Sequence, residues 1–314
     1  MRNKLFIQIV LIVVLSITSE INYLLADDII IDANQIDIQD KGNVILASGS
    51  VNITDGDKVQ IKGDKAKYNK SDQKVEISGN VSYLDFDANG NLNFQINGEE
   101  SFLDQGKKIL EINKNVYFVD KSNNFEIFSE KIIYLKEDDY IKSLSDTKIN
   151  YKDQFLINTS NLSFNKKDSI FSTNQKTIIT DNYNNKFEIS NLSFELKKNI
   201  FKGKKIKLLD DINNSVELEN GILKLDTNEL VGSNFRIKLN KNTFGNPEND
   251  PRLIGRYIIS DKNETKMKKS SFTTCKDIEG KCPAWQISAD EIVHKKEKKR
   301  VEYKNAWLKI YDLP

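Results

Sequence analysis

The sequence predicts an all-β protein, an elongated β-jelly roll or sandwich built from repeated hairpins. Apolar and polar residues alternate through most of the chain, which is the period of strands with one buried face. One hairpin pattern recurs at intervals of roughly 30 residues, the spacing expected of stacked supersecondary units. Beyond the N-terminal segment, no stretch carries apolar residues at helical spacing.

The clearest unit is the stretch Ile61–Tyr83, which is predicted to form one hairpin. Its first strand ends at Tyr68, and the polar residues 69–73 turn the chain back. Gly79 and Asn80 interrupt the return strand within an otherwise alternating run. Because glycine reaches backbone angles that other residues adopt only at a cost, this pair predicts a bulge or a tight turn.

Six further units repeat the pattern. They span residues 31–53, 94–119, 125–151, 155–179, 187–209 and 216–239. Seven units of two strands predict about fourteen strands, more than one flat sheet holds without curling or splitting. We therefore expect two sheet layers that face each other.

An export signal is predicted over residues 1–26. Arg2 and Lys4 precede the apolar run Leu5–Ile17, and a plausible cleavage site follows at Ala26. The apolar run is shorter than the roughly 20 residues that a membrane span needs, so cleavage is favoured over an uncleaved anchor.

The rest of the chain divides at residue 239. Residues 27–239 hold the hairpin repeats, and residues 240–314 hold C-terminal hairpins with a looser pattern. The basic run Lys262–Lys269 is expected to be a solvated loop or a hairpin tip.

Composition narrows the class of partner. The chain has 47 Lys and Arg, 46 Asp and Glu, and a net charge of +1, without the basic surplus of a nucleic-acid-binding protein. Its mean hydropathy of −0.53 predicts that the exported part is soluble.

Export permits disulfides, and Cys275 and Cys282 could bond to each other or to partners outside this chain. Two cysteines and one histidine do not make a standard zinc ligand set, so no metal site is expected.

No catalytic motif stands out. His294 is the only histidine, and its place beside a charged turn is typical of a surface residue. The sequence lacks a nucleophile elbow, a H-E-x-x-H motif and a Walker loop. We expect neither enzymatic activity nor a cofactor.

Residues 85–91, with the sequence DFDANGN, resemble the start of a calcium-binding loop. The twelfth position of that loop would be Ile96, where a bidentate glutamate is needed. A hairpin turn explains the segment better.

The inward positions of the hairpins admit two interpretations. They form an ordinary filled core, or they line an apolar slot between two curved layers that holds lipid acyl chains. Burial of an acyl chain is worth roughly 0.8 kcal/mol per methylene, so such a slot would offset the free-energy cost of taking a lipid out of a bilayer and through water. The sequence leaves both interpretations open. The candidate slot residues are Ile77, Val81, Val116, Phe118, Leu162, Phe164, Leu192, Phe194, Leu223 and Leu225.

The repeated phrase resembles the OstA domain, which periplasmic and outer-membrane lipopolysaccharide transport proteins share. The residues that carry the resemblance are Ala66, Lys67, Tyr68, Val75, Ile77, Gly79, Asn80 and Val81. It covers residues 28–239 and implies a jelly roll of OstA-like hairpins.

The C-terminal stretch resembles the junction that precedes the outer-membrane barrel in the LptD family of LPS-assembly proteins. The motifs that keep their order are Gly255-Arg256-Tyr257, Ser271-Phe272-Thr273-Thr274-Cys275, Pro283-Ala284-Trp285-Gln286-Ile287, Ile292-Val293-His294, Asn305-Ala306-Trp307-Leu308-Lys309-Ile310-Tyr311 and Leu313-Pro314. This resemblance places Cys275 at the family position whose cysteine is bonded to one in the barrel. Cys282 has no firm counterpart in the family.

The resemblance implies a domain at the periplasmic face of the outer membrane that receives lipopolysaccharide and passes it to a barrel. A periplasmic OstA-like bridge protein would dock by edge-strand pairing, with Ile29–Ile38 as the candidate edge. The barrel and its plug lipoprotein are the further implied partners. The family continues into the barrel after the position of Pro314, so we expect either a fragment or a separately encoded barrel.

Two other interpretations stay open. A free-standing periplasmic bridge or chaperone of the LptA/LptC type would have the same fold without a barrel. A structural β-solenoid would have a filled core and admit no lipid.

Overall fold

The protein is all-β in the residues that the structure, a computed structural model, describes: 29–310 without 57, 279, 280 and 282. The predicted fold class is confirmed. The predicted signal at 1–26, Cys282 and residues 311–314 lie outside the described residues. None of the helices in residues 29–310 is long and apolar enough to span a membrane.

The strands follow one another along the chain with short connections. They are β1 (Ile29–Asp32), β2 (Gln35–Gln39), β3 (Val44–Asp55), β4 (Val59–Asn69), β5 (Lys74–Phe86), β6 (Leu92–Asp104), β7 (Ile109–Asp120), β8 (Phe125–Leu135), β9 (Tyr140–Ser143), β10 (Asp146–Tyr151), β11 (Phe155–Ser160), β12 (Ser163–Asn165), β13 (Ile170–Thr173), β14 (Thr177–Asp181), β15 (Lys186–Glu195), β16 (Ile200–Leu209), β17 (Ser215–Lys224), β18 (Glu229–Lys238), β19 (Arg252–Ser260), β20 (Glu264–Thr273), β21 (Trp285–Lys295) and β22 (Arg300–Ile310). Short 3-10 helices occur at Asp40–Gly42, Leu196–Lys198 and Lys241–Phe244.

Each long strand bends near its middle, and its two halves belong to different sheet layers. The strand register slips at the bends, for example between Ser78 and Val81 of β5. Layer one holds residues 35–48, 65–78, 100–113, 131–143, 163–173, 193–202, 222–231, 257–268 and 291–304. Layer two holds residues 29–32, 51–55, 59–62, 81–97, 116–129, 146–160, 177–190, 204–220, 233–238, 252–255, 270–273, 285–289 and 306–310. The bends form the closed side of a folded sheet, and the hairpin turns of both layers form the opposite side, which we call the mouth.

Residues with positive φ produce the bends. Gly79 and Asn80 have φ of 78° and 48°, so the predicted break in the hairpin Ile61–Tyr83 is confirmed. Asparagine is one of the few residues with a side chain that tolerates this left-handed region. It occupies the bend repeatedly, as Asn80, Asn115, Asn161, Asn191, Asn234 and Asn305.

The sheet is antiparallel throughout, and most strands pair with their neighbours in the chain. In the middle, where the halves of the bent strands are separate short strands, β10 pairs with β8, β12 with β9, β14 with β11 and β15 with β13. The pairing continues from β18 to β19 across the long connection at residues 239–251. Within the described residues, β22 pairs only with β21 at one edge, and β1 and β2 pair only with β3 at the other. The folded sheet therefore ends in two unpaired edges.

Two local expectations differ from the structure. The strands of the predicted hairpin Ile61–Tyr83 extend beyond it at both ends, over Val59–Asn69 and Lys74–Phe86. Only Lys262 and Asn263 of the basic run Lys262–Lys269 lie in a hairpin turn, since β20 begins at Glu264 and contains the rest of the run. The buried Met267 is the single apolar side chain among the lysines of this part of β20, so the pattern gives little sign of the strand.

The segment 85–91 is the turn between β5 and β6. The Asp87 Oδ1 atom accepts hydrogen bonds from the backbone N–H groups of Asn89 and Asn91, at 2.8 and 2.9 Å. The backbone and side-chain hydrogen bonds from Asn91 hold the pKa of Asp87 below its usual range. The carboxylate is thus engaged by its own turn.

Glycines allow close packing beside the bends of the later strands. Gly203, Gly221 and Gly232 are successive cross-strand partners on β16, β17 and β18. A Cβ on Gly203 would lie 2.2 Å from Cγ2 of Ile189. This residue has no positive φ, so its constraint is steric.

Gly203→Ala should lower the free energy of unfolding by about 1–3 kcal/mol, the usual cost of overpacking a core. Urea unfolding followed by circular dichroism measures the change.

A double-mutant cycle with Ile189→Ala provides the control, because that change removes the clashing Cγ2 atom. Gly203→Ala should then cost clearly less. An equal cost in both backgrounds would contradict the steric explanation.

Candidate functional site

The interior between the two layers is filled by aromatic side chains over the middle of the chain. Neighbouring ring centroids are 3.9–6.4 Å apart. This aromatic ladder consists of Tyr83, Phe94, Phe118, Phe125, Phe164, Phe171, Phe194 and Phe201. Every ring is at most 2% exposed, so water does not reach this part of the interior. The ladder joins the two layers where Phe125 packs edge-to-face against Phe164.

The structure brings the ten candidate slot residues to the inner surface but gives them two environments. Eight are at most 3% exposed, within the packed core: Ile77, Val81, Val116, Phe118, Leu162, Phe164, Leu192 and Phe194. Leu223 and Leu225 are only partly buried against that core, and both line a cavity at the mouth. A slot at the first eight positions is closed in this structure.

Polar and charged side chains close the mouth beside the aromatic ladder. Nζ of Lys136, in a turn of layer one, lies 2.8 Å from Oδ2 of Asp55 in layer two. Nζ of Lys166 lies 4.0 Å from the ring centroid of Phe94 across the mouth and 3.2 Å from Oδ1 of Asp139. The Lys166 side chain is only 8% exposed, so its charge is held in a largely dry site.

The pKa values of the same region reflect this burial. Burial, with the Asp139 charge adding to it, raises the pKa of Tyr134 well above its ordinary value, and its hydroxyl donates to Asp139 at 3.0 Å. Burial also raises the pKa of Asp85, although the hydrogen bond from Asn93 and the charge of Lys166 act in the opposite direction. Deprotonating Tyr134 would place another negative charge beside two carboxylates, which the closed mouth disfavours.

A third contact between the layers lies further along the mouth, and we call it the Asn199 clasp. Oδ1 of Asn199 in layer one accepts hydrogen bonds from the Tyr151 hydroxyl at 2.6 Å and the Lys152 ammonium at 3.1 Å, both in layer two. Its Nδ2 donates to Asp226 at 2.9 Å. From β17 onward, the described side chains make no further hydrogen bond or ion pair between the layers.

Beyond the clasp the inner apolar side chains are less buried. A cavity of about 440 Å³ opens at the mouth between Phe155 and Phe187 of layer two and Leu223 and Leu225 of layer one. Leu208, Val216, Ile237 and Leu253 are likewise only partly buried on the inner surface.

The two edges of the folded sheet also leave inward apolar side chains exposed. On β22 they are Val301, Tyr303, Leu308 and Ile310, between 38% and 54% exposed. On β2, Ile36 and Ile38 are 45% and 64% exposed and pair with Ala47 and Ile45 of β3. The apolar interior is thus uncovered at both ends.

Cys275 lies on the loop after β20 and is half-buried. Its carbonyl accepts a hydrogen bond from the buried Arg252, which also pairs with Asp277. Cys282 lies outside the described residues, so the predicted disulfides of both cysteines stay predictions. In the described part of the chain, no three His, Cys, Asp or Glu side chains gather in a way that could hold a metal ion.

Sequence reasoning missed the residues that decide where the interior is open. Lys136, Lys166 and Asn199 sit in polar turns and carry no pattern that separates them from the many other lysines and asparagines. Phe155 and Phe187 could have been found, because each begins an alternating run directly after a polar turn.

Comparison with known proteins adds no argument to those from the structure itself. No known family matches the sequence, and no curated protein matches it. Among solved structures, the chain is similar to LptH of Pseudomonas aeruginosa, described as the LptA-homologous periplasmic component of the conserved lipopolysaccharide transport device. The two share 16% identity, the match covers 38% of this chain and 85% of LptH, and the TM-score is 0.34. With this low score the likeness carries no functional argument.

Lys166→Ala should lower the free energy of unfolding by about 1–3 kcal/mol, because it removes a cation–π contact and the ion pair with Asp139 in a partly buried site. It should also expose the ladder locally, which amide hydrogen exchange near Phe94 would detect.

The matched control is Lys167→Ala, which changes the exposed lysine next in the chain and should leave both quantities unchanged. Equal effects of the two substitutions would contradict a closing role for Lys166.

Proposed function

We propose that the protein is a non-enzymatic lipid carrier that moves lipopolysaccharide towards the outer membrane. In this proposal it acts at the periplasmic face of that membrane. It shields acyl chains on the inner surface of the folded sheet and passes the lipid to a β-barrel translocon with its plug lipoprotein.

The observation that supports this proposal is the exposure of inward apolar side chains where the interior meets solvent. A protein built from β-sheets usually covers such surfaces or places charged side chains on them, because exposed apolar edges promote association with other chains. Here the inner surface stays apolar at both edges and along the later part of the mouth. Such an interior can be continued by another module or by a bound lipid.

The N-terminal edge supports docking of a periplasmic bridge protein. β1 and β2 form a split edge strand next to β3, and it includes the predicted docking segment Ile29–Ile38. Its free backbone groups can pair with a strand of a partner, while Ile36 and Ile38 extend the apolar interior into that partner.

The packed aromatic ladder favours the structural β-solenoid as the second candidate function. A filled interior from Tyr83 to Phe201 leaves no room for an acyl chain unless the two layers separate. The two candidates therefore differ in whether the mouth opens and whether lipid reaches the exposed inner surfaces.

Site-specific photocrosslinking tests the proposal. A crosslinking residue at Leu308, on the inner face of β22, should capture lipopolysaccharide in cells.

Trp307 is a matched control, because it neighbours Leu308 on the same strand, faces outward and is equally exposed, at 53% against 54%. A crosslinker there should capture far less lipid. No capture from Leu308, or equal capture from both positions, would refute the lipid-carrier proposal and leave the solenoid. Capture from Phe164 would further require that the mouth opens.

A further inference from the structure

The cavity of about 440 Å³ at the mouth is a side opening of the interior, and we call it the port. One wall comes from layer two, with Phe155, Phe187 and the turn that carries Tyr183. The other wall comes from layer one, with Leu223 and Leu225. Its volume lies in the range of about 300–1,000 Å³ that is usual for small-molecule sites.

The floor of the port continues the core. The Phe155 ring lies 6.4 Å from the ring of Tyr151 in its own layer and 6.4 Å from the ring of Phe201 in the other layer. Leu223 is the direct cross-strand partner of Phe201 on β16. The port therefore lies next to the last ring of the aromatic ladder, and Phe155, Phe187, Leu223 and Leu225 form its apolar floor.

The rim of the port is polar, and hydrogen bonds hold it in place. Oδ1 of Asp181 accepts the backbone N–H groups of Tyr183 and Asn185, both at 2.9 Å, which fixes the turn. Asn182 Nδ2 donates to the carbonyl of Asp153 at 3.0 Å and ties this turn to the neighbouring one. An apolar floor inside a fixed polar rim suits a ligand with an apolar tail and a polar end.

The Asn199 clasp sets one limit of the port. It joins the two layers through Tyr151 and Lys152, which lie next to the turn that supplies Phe155. On the other side, the inner side chains Leu208 and Val216 are only partly buried. A chain that enters the port can thus extend only towards the later strands, away from the ladder.

We propose that the port is a lateral binding site for one fatty acyl chain, through which a lipid enters or leaves the interior from the side. This inference deepens the proposed function and rests on it for the identity of the lipid. The tail lies on Phe155, Phe187, Leu223 and Leu225, and the polar end stays at the rim beside Tyr183. Tyr183 is 80% exposed there.

Fluorescence quenching locates the site directly. With Tyr183→Trp in the full chain, a fatty acid brominated along its tail should quench the emission with a saturable curve. Tyr257→Trp is the control, because Tyr257 is also an exposed tyrosine, at 57%, on the outer face of β19. The unmodified protein, with its two tryptophans, gives the baseline of quenching. Quenching above this baseline in both variants, or in neither, would contradict the assignment of the port as an acyl-chain site.

A chain-length series tests the apolar floor. Binding of unbrominated fatty acids, measured by relief of quenching, should strengthen with each methylene by up to about fourfold and then level off when the port is full. Affinity that does not depend on chain length would contradict an acyl-chain site.

Two substitutions separate loss of the port from loss of folding. Leu225→Asp places a charge on the floor, and Leu225→Trp fills the port without a charge; both should weaken binding at least tenfold. Ile222→Asp, on the outward face of β17 and 42% exposed, should leave binding unchanged. Weakening by Ile222→Asp as much as by Leu225→Asp would overturn the assignment.

The two proposals fail in different ways. If lipopolysaccharide is captured from Leu308 but brominated fatty acid does not quench Tyr183→Trp, the carrier function stands and the port is wrong. If quenching occurs without any capture from Leu308, the port binds acyl chains and the carrier function is wrong.

Discussion

The backbone bend in the middle of each long strand is the constraint on which the rest of the structure depends. A strand that bends through a left-handed residue can place its two halves in facing layers, so every hairpin contributes to both walls of the interior. The bends stack because the strands are neighbours in the chain. The inner surface is therefore continuous from one edge to the other, and its character changes only with the side chains that each strand supplies.

The aromatic ladder and the polar contacts at the mouth divide this inner surface into two parts. From β5 to β16 the ladder fills the interior, and charged or polar contacts close the mouth beside it. From β17 onward the ladder has ended, and the described side chains make no further polar contact between the layers. A closed core and an accessible apolar surface thus coexist in one uninterrupted sheet.

The sequence predicts the strands, the bend at Gly79 and Asn80, and the ten inward residues, because alternation reports directly which side chains share a face. It does not predict whether those residues pack shut or line an opening. That outcome depends on contacts between residues far apart in the chain, such as Lys136 with Asp55 and Lys166 with Phe94. The sequence pattern also did not predict the first half of β20, where lysines occupy the outward positions and Met267 is the only apolar residue between them.

The order of strand pairing has a consequence for how the chain folds. Because most strands pair with the strand before them across a short loop, little chain entropy is lost when a new strand adds to the last. During synthesis, which proceeds from the N-terminus, the chain can complete one hairpin after another before distant segments have been made. Damage to one unit should then weaken mainly the adjoining units, as in other stacked repeat proteins whose stability is a sum over neighbours.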